Sequence, residues 1–216
     1  MAKTPRMDPR IVQTRGLLVD AMEELVQLHS APDITVSALC ERAGVSRPTF
    51  YQHFRTTDEV LAAALEDRLE HIRTRGDRAG AVSPADVPRV LQRFLEEIWK
   101  DRHLYRALMR PVSPYSQARV VMATWLEQSV AQFLFHRDFA ELDAAARNEI
   151  TFAVGGVSST VARWIESSDT RKSDLADLGP FLWSAVLSVT RSAPVSDFPA
   201  SPVPDAPIRG ARDHAE

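Results

Sequence analysis

Hydrophobic positions recur three and four residues apart along almost the whole chain, and no stretch alternates as a half-buried strand would. Such spacing places apolar side chains along one face of a helix. In the first segment, Asp8 and Pro9 supply a cap acceptor and a first helical residue, and Ile11, Leu18 and Met22 follow on one face. We therefore predict an all-α fold.

Start and stop signals then divide the next part of the chain into two short helices. Thr35 can cap a helix over 36–43, and Gly44 provides its left-handed end. Ser46 can cap a second short helix that runs to about residue 54. The pattern predicts two helices joined by a tight turn.

The later helices are longer and follow polar or glycine-rich breaks. Thr56 and Glu59 form a capping box that opens a fourth helix, and the Gly- and Ala-rich residues 76–83 interrupt the pattern after it. Further helices are predicted to begin at Ser83, shortly before Leu104, and at Ser113, Asp143 and Pro180.

These breaks divide the chain into four segments. We predict a helix-turn-helix head over 8–56, a connecting helix and hinge over 57–83, and a helical-bundle body over 84–192 that binds a ligand and dimerises. Residues 193–216 hold five prolines and no helical period, so they are predicted to be a disordered tail.

Composition and charge limit the classes of function. A hydrophobic share of 44% and a charged share of 25% are ordinary for a soluble globular protein. Residues 1–56 carry seven Lys or Arg and six acidic residues, so bulk charge alone does not predict binding to nucleic acid. A lone cysteine, Cys40, and the lack of a secretory signal or of a bilayer-spanning apolar run predict a cytoplasmic protein.

The two short helices form a helix-turn-helix, and the second has an unusual surface. Phe50 and Phe54 are predicted to turn inward, which leaves polar, cationic and aromatic side chains outside. Such a helix in the major groove can read base edges while its rim contacts phosphates. Geometry alone leaves open that the motif is plain helix packing. The outward residues are Arg47, Thr49, Tyr51, Gln52 and His53.

The segment AGVSRPTFYQHF, followed by a helix with Glu59, Val60 and Leu61, resembles the signature of TetR-family regulators. The resemblance implies a homodimer that binds a palindromic operator in double-stranded DNA, most often a repressor that a small molecule releases. The family commonly has lysine where this chain has Thr57, so affinity should depend slightly less on salt. The predicted DNA-binding residues are Thr35, Ser37, Ser46, Arg47, Thr49, Tyr51, Gln52, His53 and Thr57.

Three basic residues lie near the N-terminus, before the two short helices of the motif. Lys3, Arg6 and Arg10 can form an arm that touches the DNA backbone or minor groove, or they can be a solvated tail. Both interpretations stay open.

Most aromatic residues lie in the body, where they can form either a plain core or a pocket for a small molecule. The resemblance implies a pocket between the helix after the hinge and the long helix from Asp143. Because no charged anchor is evident, we expect a largely apolar effector. The predicted effector-binding residues are Trp99, Tyr105, Met109, Met122, Trp125 and Phe152, each of which is individually more typical of a core.

Gly155 and Gly156 lie within a predicted helix, where each costs about 1 kcal/mol relative to alanine. A helix keeps such residues where another backbone comes close, either in a partner subunit or inside one subunit. In the family, the last two long helices of each subunit form a four-helix dimer interface. The predicted interface residues are Val154, Gly155, Ser158, Val161, Ile165, Phe181, Ala185 and Ser188.

An enzyme is the main alternative to a regulator. The chain has no nucleophile elbow, Gly-rich phosphate loop or HExxH motif, and its six histidines are scattered. We therefore expect no enzymatic activity, no cofactor and no metal site. A non-specific DNA-binding or scaffolding protein is disfavoured by the near-neutral head, because such binding requires many neutralised phosphates. Activation instead of repression stays open.

Overall fold

The computed structural model describes residues 9–28, 34–76, 87–110, 112–167 and 169–192, and this part of the chain contains α-helices and no strand. The predicted all-α fold is therefore confirmed. Asp8, residues 77–83 of the predicted hinge and the tail from residue 193 lie outside the described residues. The helices are α1 (Pro9–Leu28), α2 (Val36–Ala43), α3 (Arg47–His53), α4 (Thr57–Gly76), α5 (Arg89–Lys100), α6 (Arg102–Met109), α7 (Ser116–Phe135), α8 (Ala144–Glu166) and α9 (Leu175–Ser192).

The head consists of α1 to α3 packed around a small core. The hydroxyl of Thr35 accepts a hydrogen bond from the Ala38 N–H at 3.2 Å and caps α2. Gly44 ends α2 with a φ of 66°, a left-handed conformation that glycine adopts without steric cost. The predicted limits of α2 are confirmed, since its start and stop signals are both local.

The corner between α3 and α4 is fixed by hydrogen bonds. The Glu59 N–H donates to the Thr56 hydroxyl at 3.2 Å, as the capping box predicts. A capping box would have the Glu59 carboxylate accept from the Thr56 N–H. Instead it accepts from the N–H of the preceding residue, Arg55, at 2.7 Å. From this corner α4 runs between the head and the body, packed on α1 on one side and on α5 and α7 on the other.

Two body helices begin later than the sequence predicts. The prediction that this helix includes Val87 is wrong, because α5 begins at Arg89, and the predicted start at Ser83 lies outside the described residues. Proline disfavours helical backbone in the residue before it, so Pro88 keeps Val87 outside the helix. The α7 start predicted at Ser113 is also wrong, because the Ser113 hydroxyl instead accepts from the Tyr115 N–H at 3.2 Å before α7 begins.

The last helix begins earlier than predicted. The start at Pro180 is wrong, because α9 begins at Leu175 and contains Pro180 in its second turn. A short 3₁₀ turn over Lys172–Asp174 leads into the helix, and the Asp174 carboxylate accepts from the Arg171 N–H at 2.8 Å. The helix therefore runs through Pro180 and lacks the one intrahelical hydrogen bond that Pro180 cannot donate.

The long helix α8 lies at the centre of the body and packs on α6, α7 and α9. Its start was predicted correctly, since the Asp143 carboxylate accepts from the Ala146 N–H at 2.8 Å. Ile150, Val161 and Ile165 point into the body and are almost fully buried. Within the described helices, none is both long and apolar enough to cross a lipid bilayer.

Candidate nucleic-acid interface

Helix α3 turns two aromatic rings inward and leaves the rest of its surface outside. Phe50 is fully buried and Phe54 is 2% exposed, while Arg47 and Gln52 are exposed and Tyr51 is 58% exposed. The predicted inward position of the two phenylalanines is thereby confirmed. The short helix presents a guanidinium, a phenol and an amide to solvent from a surface that the core holds in place.

Hydrogen bonds order the start of α3 and bring α2 beside it. The Ser46 hydroxyl accepts from the Thr49 N–H at 3.2 Å and lies 2.8 Å from the Thr49 hydroxyl. Arg47 donates one hydrogen bond to the hydroxyl of Ser37 on α2. Because a guanidinium has five N–H donors, this bond orients Arg47 and leaves donors for a further partner.

The remaining predicted contact residues extend along the same surface. The Tyr51 ring stands edge-on to Phe50, with centroids 5.2 Å apart, so the core supports the ring while its outer part is free. His53 is half-buried at the end of α3, and Thr57 is half-buried in the first turn of α4. All nine predicted DNA-binding residues therefore lie at the start of α2, on α3 and its cap, or at the start of α4.

Two arginines that the sequence pattern did not single out lie beside this surface. Arg55 is exposed in the α3–α4 corner, two positions before Thr57, and makes no ion pair within the described part of the chain. Arg15 of α1 lies over the Phe54 ring, with its guanidinium carbon 4.3 Å from the centroid. The position of Arg55 two residues after the end of α3 was a signal for it, whereas the contact of Arg15 depends on tertiary packing.

Cys40 belongs to the core of the head. It is 6% exposed on the inner face of α2. Burial raises the pKa of the Cys40 thiol, and the positive charge of Arg47 opposes that rise only in part. A neutral, enclosed thiol suits a packing role.

Residues 18–64, from within α1 to within α4, match the family described as bacterial regulatory proteins, tetR family. This head is a TetR-family domain. The match includes both helices of the motif and the corner that leads into α4, so the TetR resemblance predicted from the sequence is confirmed for the surface described above.

Three further proteins are similar to this chain over different lengths. The HTH-type transcriptional regulator EthR of Mycolicibacterium smegmatis is 31% identical over 74 residues, and the chain spans only 34% of that relative's length. A TetR regulator from Streptococcus agalactiae is 20% identical, with a TM-score of 0.56 over 82% of this chain and 95% of the other. A tetR-family regulator from Streptomyces coelicolor is also 20% identical, with a TM-score of 0.58 over 81% of each chain. The two structures show that the body shares their fold.

A cavity of about 40 Å³ lies in the body between α5, α7, α8 and α9. Of the six predicted effector-binding residues, only Trp125 lines it, and its ring packs on Phe94 with centroids 5.3 Å apart. The indole N–H of Trp125 and the hydroxyl of Ser129 are buried without a hydrogen-bond partner among the described residues. The other lining residues are Pro88, Val90, Leu91, Leu126, Val130, Phe133, Val154, Val157, Trp183 and Val186.

The structure places the other predicted effector residues apart from this cavity. Trp99 packs against Trp164, with ring centroids 5.7 Å apart, and Tyr105 is fully buried in the core. Met122 is also buried and Met109 is half-buried, whereas Phe152 is 73% exposed on the outer face of α8. The six residues therefore do not form one pocket.

The predicted dimer residues lie on two different faces. Val154, Val161 and Ile165 are buried against the subunit's own core, where the inward face of α8 places them. Ser158 is half-buried, and the other four predicted residues are exposed on the outside of the body. The exposed members are Gly155, Phe181, Ala185 and Ser188.

No group of three or more His, Cys, Asp or Glu side chains suited to a metal ion occurs within the described residues. The candidate site is the outer surface of the head, and the chemistry it offers is hydrogen bonding, stacking and positive charge.

Proposed function

We propose that the protein is a sequence-specific, DNA-binding transcriptional regulator that binds a palindromic operator as a homodimer. The observation that carries this proposal is the outer surface of α3, where Arg47, Tyr51 and Gln52 are exposed on a helix fixed by its buried phenylalanines. A guanidinium and an amide are the groups that read guanine and adenine edges in the major groove. Arg55 and the hydroxyl residues around it would contact phosphates and set the register.

A second copy of the chain is proposed to cover the outer face of α8 and α9. Phe152 and Phe181 are 73% and 61% exposed there, which is unusual for two large aromatic side chains. A Cβ atom added at Gly155 or Gly156 would meet no atom within 4 Å, so close packing inside the subunit does not explain these glycines. Small residues on the same face of α8 as the exposed Phe152 ring favour a close approach by another helix.

Gly155→Arg is expected to convert the dimer into a folded monomer. The subunit has open space at this position, whereas a partner helix would clash with the long charged side chain. Sedimentation velocity measures the change, and circular dichroism checks that the helices persist. Gln92→Arg, at an exposed position on α5, is the matched control and should leave the dimer intact. A dimeric Gly155→Arg protein would place the interface elsewhere.

We further propose that a small, largely apolar effector releases the protein from DNA, which would make it a repressor. The cavity of about 40 Å³ between α5, α7, α8 and α9 is far smaller than the roughly 300–1,000 Å³ of usual ligand sites. An effector that enters it would push these helices apart, and its preference for the expanded state would drive the switch. The unpartnered Trp125 N–H favours an effector that carries one hydrogen-bond acceptor.

In vitro selection from random duplexes at physiological salt tests the proposed function. The full chain is expected to enrich a palindrome whose half-sites lie about one helical turn, or a multiple of it, apart. Competition with random DNA separates specific from non-specific binding. If the folded, dimeric protein enriches no sequence after native mass spectrometry has shown that it carries no small molecule, the proposal is wrong.

A further inference from the structure

Asp58 is the one buried charged side chain among those that the structure describes, with 7% of its surface exposed. It lies in the first turn of α4, but its carboxylate points to another helix. It accepts hydrogen bonds from the backbone N–H groups of Gln117 at 2.9 Å and Ala118 at 3.1 Å, and from the Ser116 hydroxyl at 3.3 Å. All three donors belong to the start of α7.

These hydrogen bonds make Asp58 the N-terminal cap of α7. Gln117 and Ala118 are the second and third residues of that helix, whose N–H groups a capping side chain ordinarily satisfies. The residue at the cap position, Tyr115, makes no side-chain capping bond. A carboxylate is also favoured at the positive end of a helix, so α4 and α7 are joined by charge-assisted hydrogen bonds.

The same turn of α4 is fixed to α3, the proposed recognition helix. Only Phe54, Arg55 and Thr56 separate α3 from α4. Phe54 is buried, and Glu59 closes the corner through its bonds to the Arg55 N–H and the Thr56 hydroxyl. Because the corner is short and hydrogen-bonded, α3 and the first turn of α4 should move together. Asp58 therefore connects the recognition helix to α7, a helix of the body.

We propose that Asp58 is a positioning residue that sets the separation of the two recognition helices in the dimer. This inference rests on the proposed function, because it requires two heads that read two half-sites. The body holds the two subunits together, so the angle at which each head is anchored to its own α7 determines the distance between the heads. A firm anchor makes the protein selective for one spacing of half-sites.

Loss of the Asp58 anchor should loosen the head without detaching it. Arg68, further along α4, still bonds to Glu23 of α1 at 2.9 Å and to Glu97 of α5 at 3.2 Å. The surface of α3 contains no atom of Asp58, so each head should keep its own affinity for a half-site. The expected defect is therefore in spacing, which a merely structural role would not change selectively.

The experiment compares Asp58→Asn with the unmodified full chain on three kinds of duplex. These are the selected operator, the same operator with one or two base pairs inserted between half-sites, and a duplex with a single half-site. The introduced amide has the same shape as the carboxylate, but it lacks the charge and replaces one acceptor oxygen with a donor that faces N–H groups. We expect the preference for the native spacing to fall about tenfold, within the usual range for coupling between sites. Affinity for the single half-site should stay unchanged.

Two further variants serve as a charge control and as a weaker form of the same change. Asp67→Asn removes the same charge from an exposed position on α4 and should leave the spacing preference unchanged. Ser116→Ala removes one of three donors to Asp58 and should give a smaller change in the same direction. It also keeps the test valid if Asp58→Asn fails to fold.

The outcomes are distinct. If folded, dimeric Asp58→Asn keeps the spacing preference of the unmodified chain, the inference is wrong and the proposed function stays intact. If Asp58→Asn fails to fold, the same conclusion follows from an unchanged spacing preference in Ser116→Ala. An equal loss of affinity for every duplex would also overturn it, because it indicates general damage to the head. If the unmodified chain selects no duplex, the proposed function itself fails and this inference fails with it.

Discussion

Replacement of Arg47 and Tyr51 together by alanine is expected to lower operator affinity by about 10³- to 10⁴-fold. Each side-chain contact with a base edge or phosphate contributes about 1–3 kcal/mol, and a dimer makes each contact twice. At the lower end of that range the four contacts sum to a loss of about 4–6 kcal/mol, which would bring binding close to the non-specific level. Electrophoretic mobility shift or fluorescence anisotropy at fixed salt measures the change.

The fold should survive this double substitution. Both side chains are exposed, and Phe50 keeps its packing on Phe54, whose ring centroid lies 6.3 Å away. Arg42→Ala is the matched control, because it removes one positive charge from the head at a position where Glu24 already pairs with it. Near-normal operator affinity in a folded Arg47→Ala/Tyr51→Ala dimer would show that α3 does not read the DNA.

The candidate DNA surface was predictable because its determinants are local in sequence. Thr35, Gly44 and Ser46 set the limits of α2 and α3 through contacts that span at most four residues. The inward turn of Phe50 and Phe54 follows from their spacing of four residues. A single sequence therefore contained the geometry of the head almost completely.

Features of the body depend on which helices meet, and they were harder to predict. Proline at residue 180 suits a helix start, but a 3₁₀ turn over Lys172–Asp174 leads directly into a helix that begins at Leu175. An acidic residue at position 58 suits the first turn of its own helix, and nothing local indicates that it caps α7. The cavity is the space that four helices leave unfilled, so residue type and the family resemblance selected Trp125 together with five residues that do not line it.

The second large effect concerns stability: Arg68→Ala is expected to lower the free energy of unfolding by about 3 kcal/mol. The Arg68 side chain is 14% exposed and forms ion pairs with Glu23 of α1, Glu97 of α5 and Asp101, which directly precedes α6. Its removal would leave three neighbouring carboxylates without their counter-charge. Breaking a fully buried pair costs about 3–5 kcal/mol, and the partial exposure of Glu23 places this site at the lower end.

The effect should be present across the whole neutral pH range. Burial alone would lower the pKa of Arg68, but hydrogen bonds and charges from Glu23 and Asp101 outweigh it and raise the pKa above its usual value. A group whose pKa is raised by folding stabilises the protein fully below its unfolded-state pKa, and for a guanidinium that range includes neutral pH. Thermal unfolding should therefore show a Tm lower by about 6–12 °C at any neutral pH.

Arg73→Ala is the matched control for Arg68→Ala on the same helix. The Arg73 side chain is 44% exposed and pairs with Glu70 three residues away, so its loss should change stability by less than about 0.5 kcal/mol. Adding Asp101→Asn to Arg68→Ala should recover part of the loss, because it removes one of the repelling charges. Equal effects of the two arginine substitutions on stability would contradict the stabilising role of the Arg68 ion pairs. A large, selective loss for Arg68 would show that α1, α4 and α5 are held together by charge at the junction of head and body, so that Asp58 and Arg68 anchor α4 at two separate points.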